Sequence, residues 1–311
     1  MEISAKDVKE LREQTGAGMM ECKKALVEAQ GNLEQAITIL RKRGLASAAK
    51  KAGRITSEGL VDVRIAPVQG TSVGVIVEVN CETDFVARTE DFKNLVSQVG
   101  QHLLQRKPAT VEDLLSQNFL SDETKTLREV LTERIARIGE NLSIRRFERF
   151  ELNGQGSLGK YIHAGGKIGV LVDLGAPGPL DAASETFQSL IHDVAMHVAA
   201  SDPKYLSRHS VPPEVLEREM DIARAKVPPG KPAQVVEKIV EGQLAKFYGE
   251  VCLLEQPFVK EPGMSVGQWL GQRSHNLGVP IEIRRYIRFK TGEGLGKRGD
   301  DFAAEVAAQL K

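Results

Sequence analysis

Cysteine is scarce in this chain of 311 residues: Cys22, Cys81 and Cys252 are the whole complement, far apart and without a C-x-x-C spacing. An odd, scattered set builds neither a disulfide framework nor a zinc cluster, which points to a reducing compartment. Net charge is lacking too, because 42 Lys and Arg balance 42 Asp and Glu. A neutral chain has no global field of the kind a nucleic-acid coat or a polybasic membrane protein uses. No apolar run approaches the roughly 20 residues of a membrane-spanning helix. Residues 1–10 alternate charged and apolar side chains without the apolar centre of a secretory leader. The expectation is a cytoplasmic protein. What is present, 41 % apolar and 27 % charged residues, matches ordinary globular composition. At about 150 residues per domain the length suggests two domains with a small appendage.

Residues 1–44 read as three short helices. Ser4 with Asp7 three positions on makes a capping-box start, and Val8 and Leu11 share a face. Met19, Cys22, Leu26 and Ala29 continue the helical spacing, and Leu33, Ala36, Ile37 and Leu40 repeat it before Gly44. So small a unit suits a docking module. Between Gln35 and Ser57 there is no acid, while Arg41, Lys42, Arg43, Lys50, Lys51 and Arg54 supply six positive charges. This stretch reads as a basic linker, that is a solvated linker or helix end, with a protein-docking surface as the alternative. A nucleic-acid contact is disfavoured, because no aromatic side chain stands within it to stack on bases.

Sliding the chain against itself by 95 residues lays 73–79 over 168–174 and 92–102 over 187–197 without a gap. Seven of the eighteen pairs are identical, among them Phe92/Phe187, Leu95/Leu190, Val99/Val194 and His102/His197. The first segment of each pair is short and β-branched, hence a strand; the second carries apolar residues at helical spacing. A second echo sets 144–150 against 283–289, each opening Ile-Arg-Arg, and reads as the strand that closes each copy. The expected fold is therefore α+β, a three-helix N-terminal module followed by a duplicated core of small antiparallel sheets with packed helices. From His102 to Ile144 is 42 positions, but from His197 to Ile283 is 86. Helical stretches at 214–226 and 233–247, joined by a proline-rich turn, make the extra length a protruding hairpin. Its apolar positions Val236, Ile239, Val240, Leu244 and Phe247 call for a cover, from the antiparallel mate or from another chain. Expected boundaries are 1–54 for the module and linker, 55–152 for the first lobe, 153–290 for the second with the hairpin at about 210–250, and 291–311 for a C-terminal module.

Motifs for catalysis are missing or out of place. The run from Gly154 to Lys160 matches G-x-x-x-x-G-K, but Tyr161 stands where a hydroxyl would ligate magnesium. A second glycine turn, Gly165-Gly166, follows in place of the helix N-terminus a phosphate needs, so a hairpin turn explains the run. The glycine-rich segment 292–297 follows the last strand and reads as a loop. Six histidines offer no H-x-x-x-H pair, and His192 and His197 lie about 140° apart around a helix. His102 and His197, at equivalent positions, read as a duplicated structural histidine. With no G-x-S-x-G and no Cys/His dyad, the chain is expected to carry no catalytic residue, metal or cofactor.

One loop stands out against the repeat. The first copy's strand runs into Asn80-Cys81-Glu82-Thr83-Asp84-Phe85-Val86-Ala87-Arg88, whereas the second has Gly175-Ala176-Pro177-Gly178-Pro179-Leu180-Asp181. Thr83 or Asp84 capping a helix, with Phe85 packed beneath, is one reading. The other is a wedge, in which Phe85 enters an apolar slot on a partner while Asp84 perturbs a charge there.

Several long motifs resemble one family. They are Val8-Lys9-Glu10-Leu11-Arg12, the run 15–26 with Met19-Met20-Glu21-Cys22, the run 48–53, Glu78 to Ala87, Ile138-Gly139-Glu140-Asn141, the run 196–200, Gln256-Pro257-Phe258-Val259 and the C-terminal run 301–307. In this order they are similar to the bacterial elongation factor Ts family, guanine-nucleotide exchange factors for the translational GTPase elongation factor Tu. The resemblance implies a ubiquitin-associated-like N-terminal module, a duplicated core and an inserted coiled-coil hairpin. It implies that Thr83, Asp84, Phe85 and Val86 form the loop that enters the GTPase near its magnesium site. His163, with Ile138 and Gly139, would grip the same nucleotide domain and shift its phosphate loop, and Arg12, Met19 and Met20 would supply N-terminal contacts. The implied partner is elongation factor Tu, with a homodimer or a hairpin-mediated contact beside it and neither membrane nor direct nucleic acid. The alternative is a ubiquitin-like or general protein adaptor working through the N-terminal helices.

Overall fold

A computed structural model describes residues 3–228 and 230–296, so the run 301–307 and most of the expected C-terminal module lie outside the described residues. Contacts divide the chain into two units. One comprises the described residues through Asp62, Val77–Phe147 and those from Lys290; the other comprises Val63–Ile76 and Glu148–Phe289.

The N-terminal helices are α1 (Ala5–Thr15), α2 (Met19–Glu28) and α3 (Leu33–Lys51). At the start of α1 the capping box forms as expected: the Ser4 hydroxyl accepts from the Asp7 N–H and the Asp7 carboxylate from the Ser4 N–H. Val8, Leu11, Cys22, Ala25, Leu26, Ala29 and Ala36 make their small core. Of the two readings of the basic stretch, helix end holds as far as Lys51, where α3 stops, so it is not open linker up to that point. Arg, Lys, Leu and Ala are strong helix formers, and Lys50 and Lys51 in the last turn complement the helix dipole.

Strands β1 (Glu58–Val68) and β2 (Thr71–Cys81) are joined by Gln69 and Gly70, both at positive φ, the hairpin geometry that matches strand twist. There follow α4 (Asp84–Arg88), α5 (Glu90–Gln105), α6 (Val111–Ser116), the small antiparallel pair β3 (Asn118–Phe119) and β4 (Asp122–Thr126), α7 (Leu127–Ile138) and β5 (Leu142–Glu151). The sheet order is β1-β2-β5. Central β2 is buried on both faces through Val73, Val75, Ile76, Val77 and Val79. On α5, Phe92, Leu95, Val96, Val99 and Leu103 are buried. Helix α3 packs along α7, with Arg41 paired to Glu129 and the Lys51 ammonium donating to the Ile135 carbonyl at 3.5 Å.

The remainder comprises β6 (Gly156–His163), β7 (Ile168–Gly175), α8 (Glu185–Ser201), α9 (Pro213–Ala225), α10 (Ala233–Val251), β8 (Pro257–Phe258), β9 (Glu261–Ser265), α11 (Val266–Leu277) and β10 (Glu282–Lys290). Its sheet order is β10-β7-β6, with β6 antiparallel to β7 from Gly156 opposite Gly175 to His163 opposite Ile168. The glycine-rich run at 154–160 enters β6 and is no phosphate loop, but the expected hairpin turn does not form there: β5 before it and β6 after it lie in different sheets, and β6 pairs with β7 instead. Val170, Val172, Phe187, Leu190, Val194 and Trp269 lie in one core, and Phe258 stacks on Trp269 with ring centroids 4.3 Å apart. Helices α9 and α10 pack on each other. Ala223 and Val240 are buried, while Val236, Ile239, Leu244 and Phe247 are half-buried. α10 runs one turn past Phe247, because the Val251 carbonyl accepts from the Lys204 and Tyr205 N–H groups at 2.8 and 3.0 Å. No helix of the described residues is long and apolar enough to cross a membrane.

Details recur at the echoed positions. His102 Nδ1 accepts the Leu120 N–H at 3.2 Å and its Nε2 lies 3.0 Å from Gln117 Oε1; His197 does the same with the Val259 N–H at 3.2 Å and Gln256 Oε1 at 3.0 Å. A backbone donor on Nδ1 places the proton on Nε2, which donates to the glutamine. Burial holds both imidazoles below their ordinary pKa despite that hydrogen bond. Glu78 on β2 and Asp173 on β7 are buried carboxylates served by arginines of the closing strands. Glu78 accepts from Arg145 Nη1 at 3.1 Å, Arg146 Nε at 2.7 Å, Asn80 Nδ2 at 3.1 Å and the Gly292 N–H at 2.7 Å. Burial alone would raise its pKa, but bonds from Gly292, Asn80 and Arg146 outweigh that and hold it low. Asp173 accepts from Arg285 Nε at 3.0 Å, with Arg284 Nη1 further off at 3.9 Å.

Candidate functional site

Between β2 and α5 the chain turns a corner pinned at each step. Thr83 is the N-cap of α4, its hydroxyl accepting from the Val86 N–H at 3.3 Å. Thr89 closes α4, donating to the Val86 carbonyl at 2.8 Å, and caps α5 by accepting from the Phe92 N–H at 3.3 Å. Cys81, buried at the end of β2, donates its thiol to the Thr83 carbonyl at 3.1 Å. Of the five residues of α4 only Ala87 is buried, so the short helix seats on a methyl group and turns Phe85 outward. That ring is 78 % exposed. The capping reading therefore holds for Thr83, and Phe85 does not pack beneath the helix.

The corner is held by a second turn. Helix α7 ends at Ile138, and Gly139 takes the left-handed conformation, φ 91°, that glycine adopts without a Cβ penalty. The reversal aims Glu140 at the corner. One carboxylate oxygen of Glu140 accepts from the backbone N–H groups of Glu82 and Thr83, each at 3.0 Å, and the other accepts the Thr83 hydroxyl at 2.6 Å. In return Glu82, its side chain 7 % exposed, accepts the Asn141 N–H at 2.7 Å and Arg54 Nη1 at 3.3 Å. Two turns far apart in sequence are thus laced by reciprocal charge-assisted hydrogen bonds. Asp84 pairs with Arg88 at 2.7 Å across one helical turn on the surface. Such a pair stabilises by only about 0.3–0.5 kcal/mol, so it is readily exchanged for another cation.

Thr83, Asp84, Phe85, Val86, Ile138 and Gly139 are therefore brought to one place. Val86 and Ile138 are half-buried and Gly139 is exposed. Arg12 lies in the last turn of α1, and Met19 and Met20 open α2 at 53 % and 63 % exposure. Their module is tied through α3 to α7, the helix that ends in Ile138. His163 belongs to the other unit, at the end of β6, exposed and stacked on Tyr161 with ring centroids 6.2 Å apart. Residue-by-residue reading missed the roles of Glu82, Glu140 and Asn141. The signal available was a carboxylate placed directly after a helix-ending glycine. The described residues hold no group of three His, Cys, Asp or Glu side chains that could hold a metal ion.

The braced corner presents a bare phenyl ring beside a carboxylate held by a single surface ion pair. The family model for elongation factor TS matches residues 82–293. Elongation factor Ts of Trichlorobacter lovleyi is 50 % identical over 309 residues, covering 99 % of this chain and 98 % of the relative. Those of Clostridium kluyveri and Halothermothrix orenii are 47 % and 43 % identical, with at least 99 % of each chain covered. The chain belongs to the elongation factor Ts family. It is a nucleotide exchange factor for elongation factor Tu in translation elongation and not an enzyme. That role places it in the cytoplasm, where elongation takes place.

Proposed function

We propose that the corner at Thr83-Asp84-Phe85-Val86 is the wedge with which the chain loosens nucleotide on elongation factor Tu. Phe85 enters an apolar slot near the GTPase's magnesium site, and Asp84, released from Arg88, disturbs the ion's surroundings. Ile138 and Gly139 beside the corner, and His163, press on the same nucleotide domain and help shift its phosphate loop. Arg12, Met19 and Met20 dock the N-terminal helices, where pliant methionines suit an apolar helix surface. On this reading residues 1–54 form a ubiquitin-associated-like docking module. The remainder is a duplicated core, supported by the recurring histidine and carboxylate arrangements. The hairpin α9–α10 is an insertion whose half-buried apolar side chains suit a further protein contact.

Nucleotide in such a GTPase is gripped by backbone amides around its phosphates and by magnesium, so exchange requires that factor and nucleotide weaken each other equally. A 10⁴-fold mutual weakening takes about 5.5 kcal/mol. Burying one phenyl ring contributes about 2 kcal/mol, roughly a thirtyfold effect, so Phe85 supplies about a third and contacts at magnesium and the phosphate loop the rest. The observation that carries the reading is the exposure of Phe85, 78 %, on a corner that hydrogen bonds hold still. Stopped-flow release of a fluorescent GDP from elongation factor Tu tests it. Phe85→Ala should slow factor-stimulated release about thirtyfold with an unchanged far-UV spectrum, and Asp84→Ala several-fold. Unaltered release by Phe85→Ala would defeat the wedge.

A further inference from the structure

We infer that Glu140 is a positioning residue for exchange, the group that sets the height and angle at which Phe85 is presented. This rests on the wedge reading of Phe85. The Glu140 carboxylate gathers three donors from the two residues before α4: the Glu82 N–H, the Thr83 N–H and the Thr83 hydroxyl, at 3.0, 3.0 and 2.6 Å. Those two backbone N–H groups both point to Glu140, and the first residue of α4 follows directly. Phe85 is the second residue of that helix, so its direction is decided by the plane in which Glu140 holds the turn.

The molecule contains its own control. Shifted by 95 residues, Thr83 falls on Gly178; shifted by 139, as the Ile-Arg-Arg echo requires, Glu140 falls on Val279. There neither side chain can form such a bond, and the two residues are near neighbours: a Cβ on Gly178 would stand 3.9 Å from Val279 Cγ2. Helix α11 also ends on a left-handed glycine, Gly278, just as α7 ends on Gly139. The second copy thus ends its helix on an equivalent left-handed glycine but has neither a counterpart of α4 between β7 and α8 nor an acid at the position of Glu140. The carboxylate accompanies the short helix that displays the ring.

Displacing a reacting or prying group by about 1 Å can cost up to a hundredfold in rate. Glu140→Ala is expected to lower the maximal rate of GDP release at saturating factor about tenfold, with the half-saturating concentration changed less than about twofold. Glu140→Gln, which keeps one acceptor oxygen, should recover part of that loss. In a Phe85→Ala background, Glu140→Ala should add less than about a twofold further effect, because it acts through the ring. If Phe85→Ala slows release and Glu140→Ala does not, the positioning role is wrong and the wedge stands. If the two losses multiply, Glu140 acts independently of Phe85 and the inference is overturned. If Phe85→Ala leaves release unchanged, the wedge itself fails. Should Glu140→Ala not fold, Glu140→Gln carries the same cycle, and loss of fold in both variants would show a structural requirement that contradicts the proposal.

Discussion

Replacing Glu78 by Gln should destabilise the protein far more than replacing Asp173 by Asn, although the two carboxylates sit 95 residues apart at echoed positions. Glu78 is fully buried and accepts from Arg145, Arg146, Asn80 and the Gly292 N–H. A glutamine there keeps one acceptor oxygen, turns an amide donor toward guanidinium groups and takes the shared carboxylate from two arginines whose side chains are only 24 % and 31 % exposed. Breaking a buried ion pair from one side costs about 3–5 kcal/mol, and the multiplicity of donors puts Glu78→Gln at the upper end. Asp173 has one close arginine bond, Arg285 Nε at 3.0 Å, with Arg284 at 3.9 Å, and its Oδ1 has no hydrogen-bond partner. Losing one charge-assisted bond costs about 1.5–3 kcal/mol. Urea unfolding followed by far-UV circular dichroism measures both changes. Fluorescence of Trp269, the chain's single tryptophan, reports separately on the unit that contains Asp173. A loss below about 1 kcal/mol for Glu78→Gln, or a larger loss for Asp173→Asn, would refute the reasoning.

Three further outcomes follow from the structure. His102 and His197 are held neutral by burial, so the unfolded chain binds protons near pH 6.5 before the folded one does. Their contribution is complete above that pH and is lost as pH falls below it, and melting temperature should drop between about pH 7 and 5.5; a flat or rising profile contradicts this. Gly59→Ala should prevent folding, because φ is 141° there and a Cβ would meet the Val79 carbonyl oxygen at 2.1 Å. A soluble, cooperatively melting Gly59→Ala protein would disprove that account. The double variant Met19→Ala, Met20→Ala should raise the half-saturating concentration of factor about tenfold while sparing the maximal release rate; a lowered maximum would place these residues in the exchange step and not in docking.

Much of this was legible because periodicity and repetition report directly on burial. The register shift by 95 located both central strands and both long helices, since a strand buried on two faces and a helix with an apolar stripe leave distinct spacings. Ser4 with Asp7 announces its cap, whereas the glycine run at 154–160 announces a turn but not which strands it joins, since β6 pairs with β7 and not with β5. The basic stretch leaves linker and helix end open in sequence, because charge density masks helix propensity and its partner α7 comes much later in the chain; Arg41 to Lys51 is helix. The brace on Phe85 was illegible for a related reason. Glu82 and Glu140 look like surface carboxylates in sequence, and only tertiary structure sets each against the other's backbone. Glu78 and Asp173 stood in the repeat as an acid over an acid, yet their arginines arrive on strands that sequence spacing alone does not pair.

The central claim is tested most directly by measuring the factor's affinity for nucleotide-free and for GDP-bound elongation factor Tu, with Phe85 and with Ala in its place. If the ring prises apart the nucleotide's grip, Phe85→Ala should weaken binding to the nucleotide-free form about thirtyfold and leave binding to the GDP form nearly unchanged, shrinking the ratio of the two affinities. Equal weakening of both forms, with the ratio preserved, would make Phe85 simple adhesive and contradict the account.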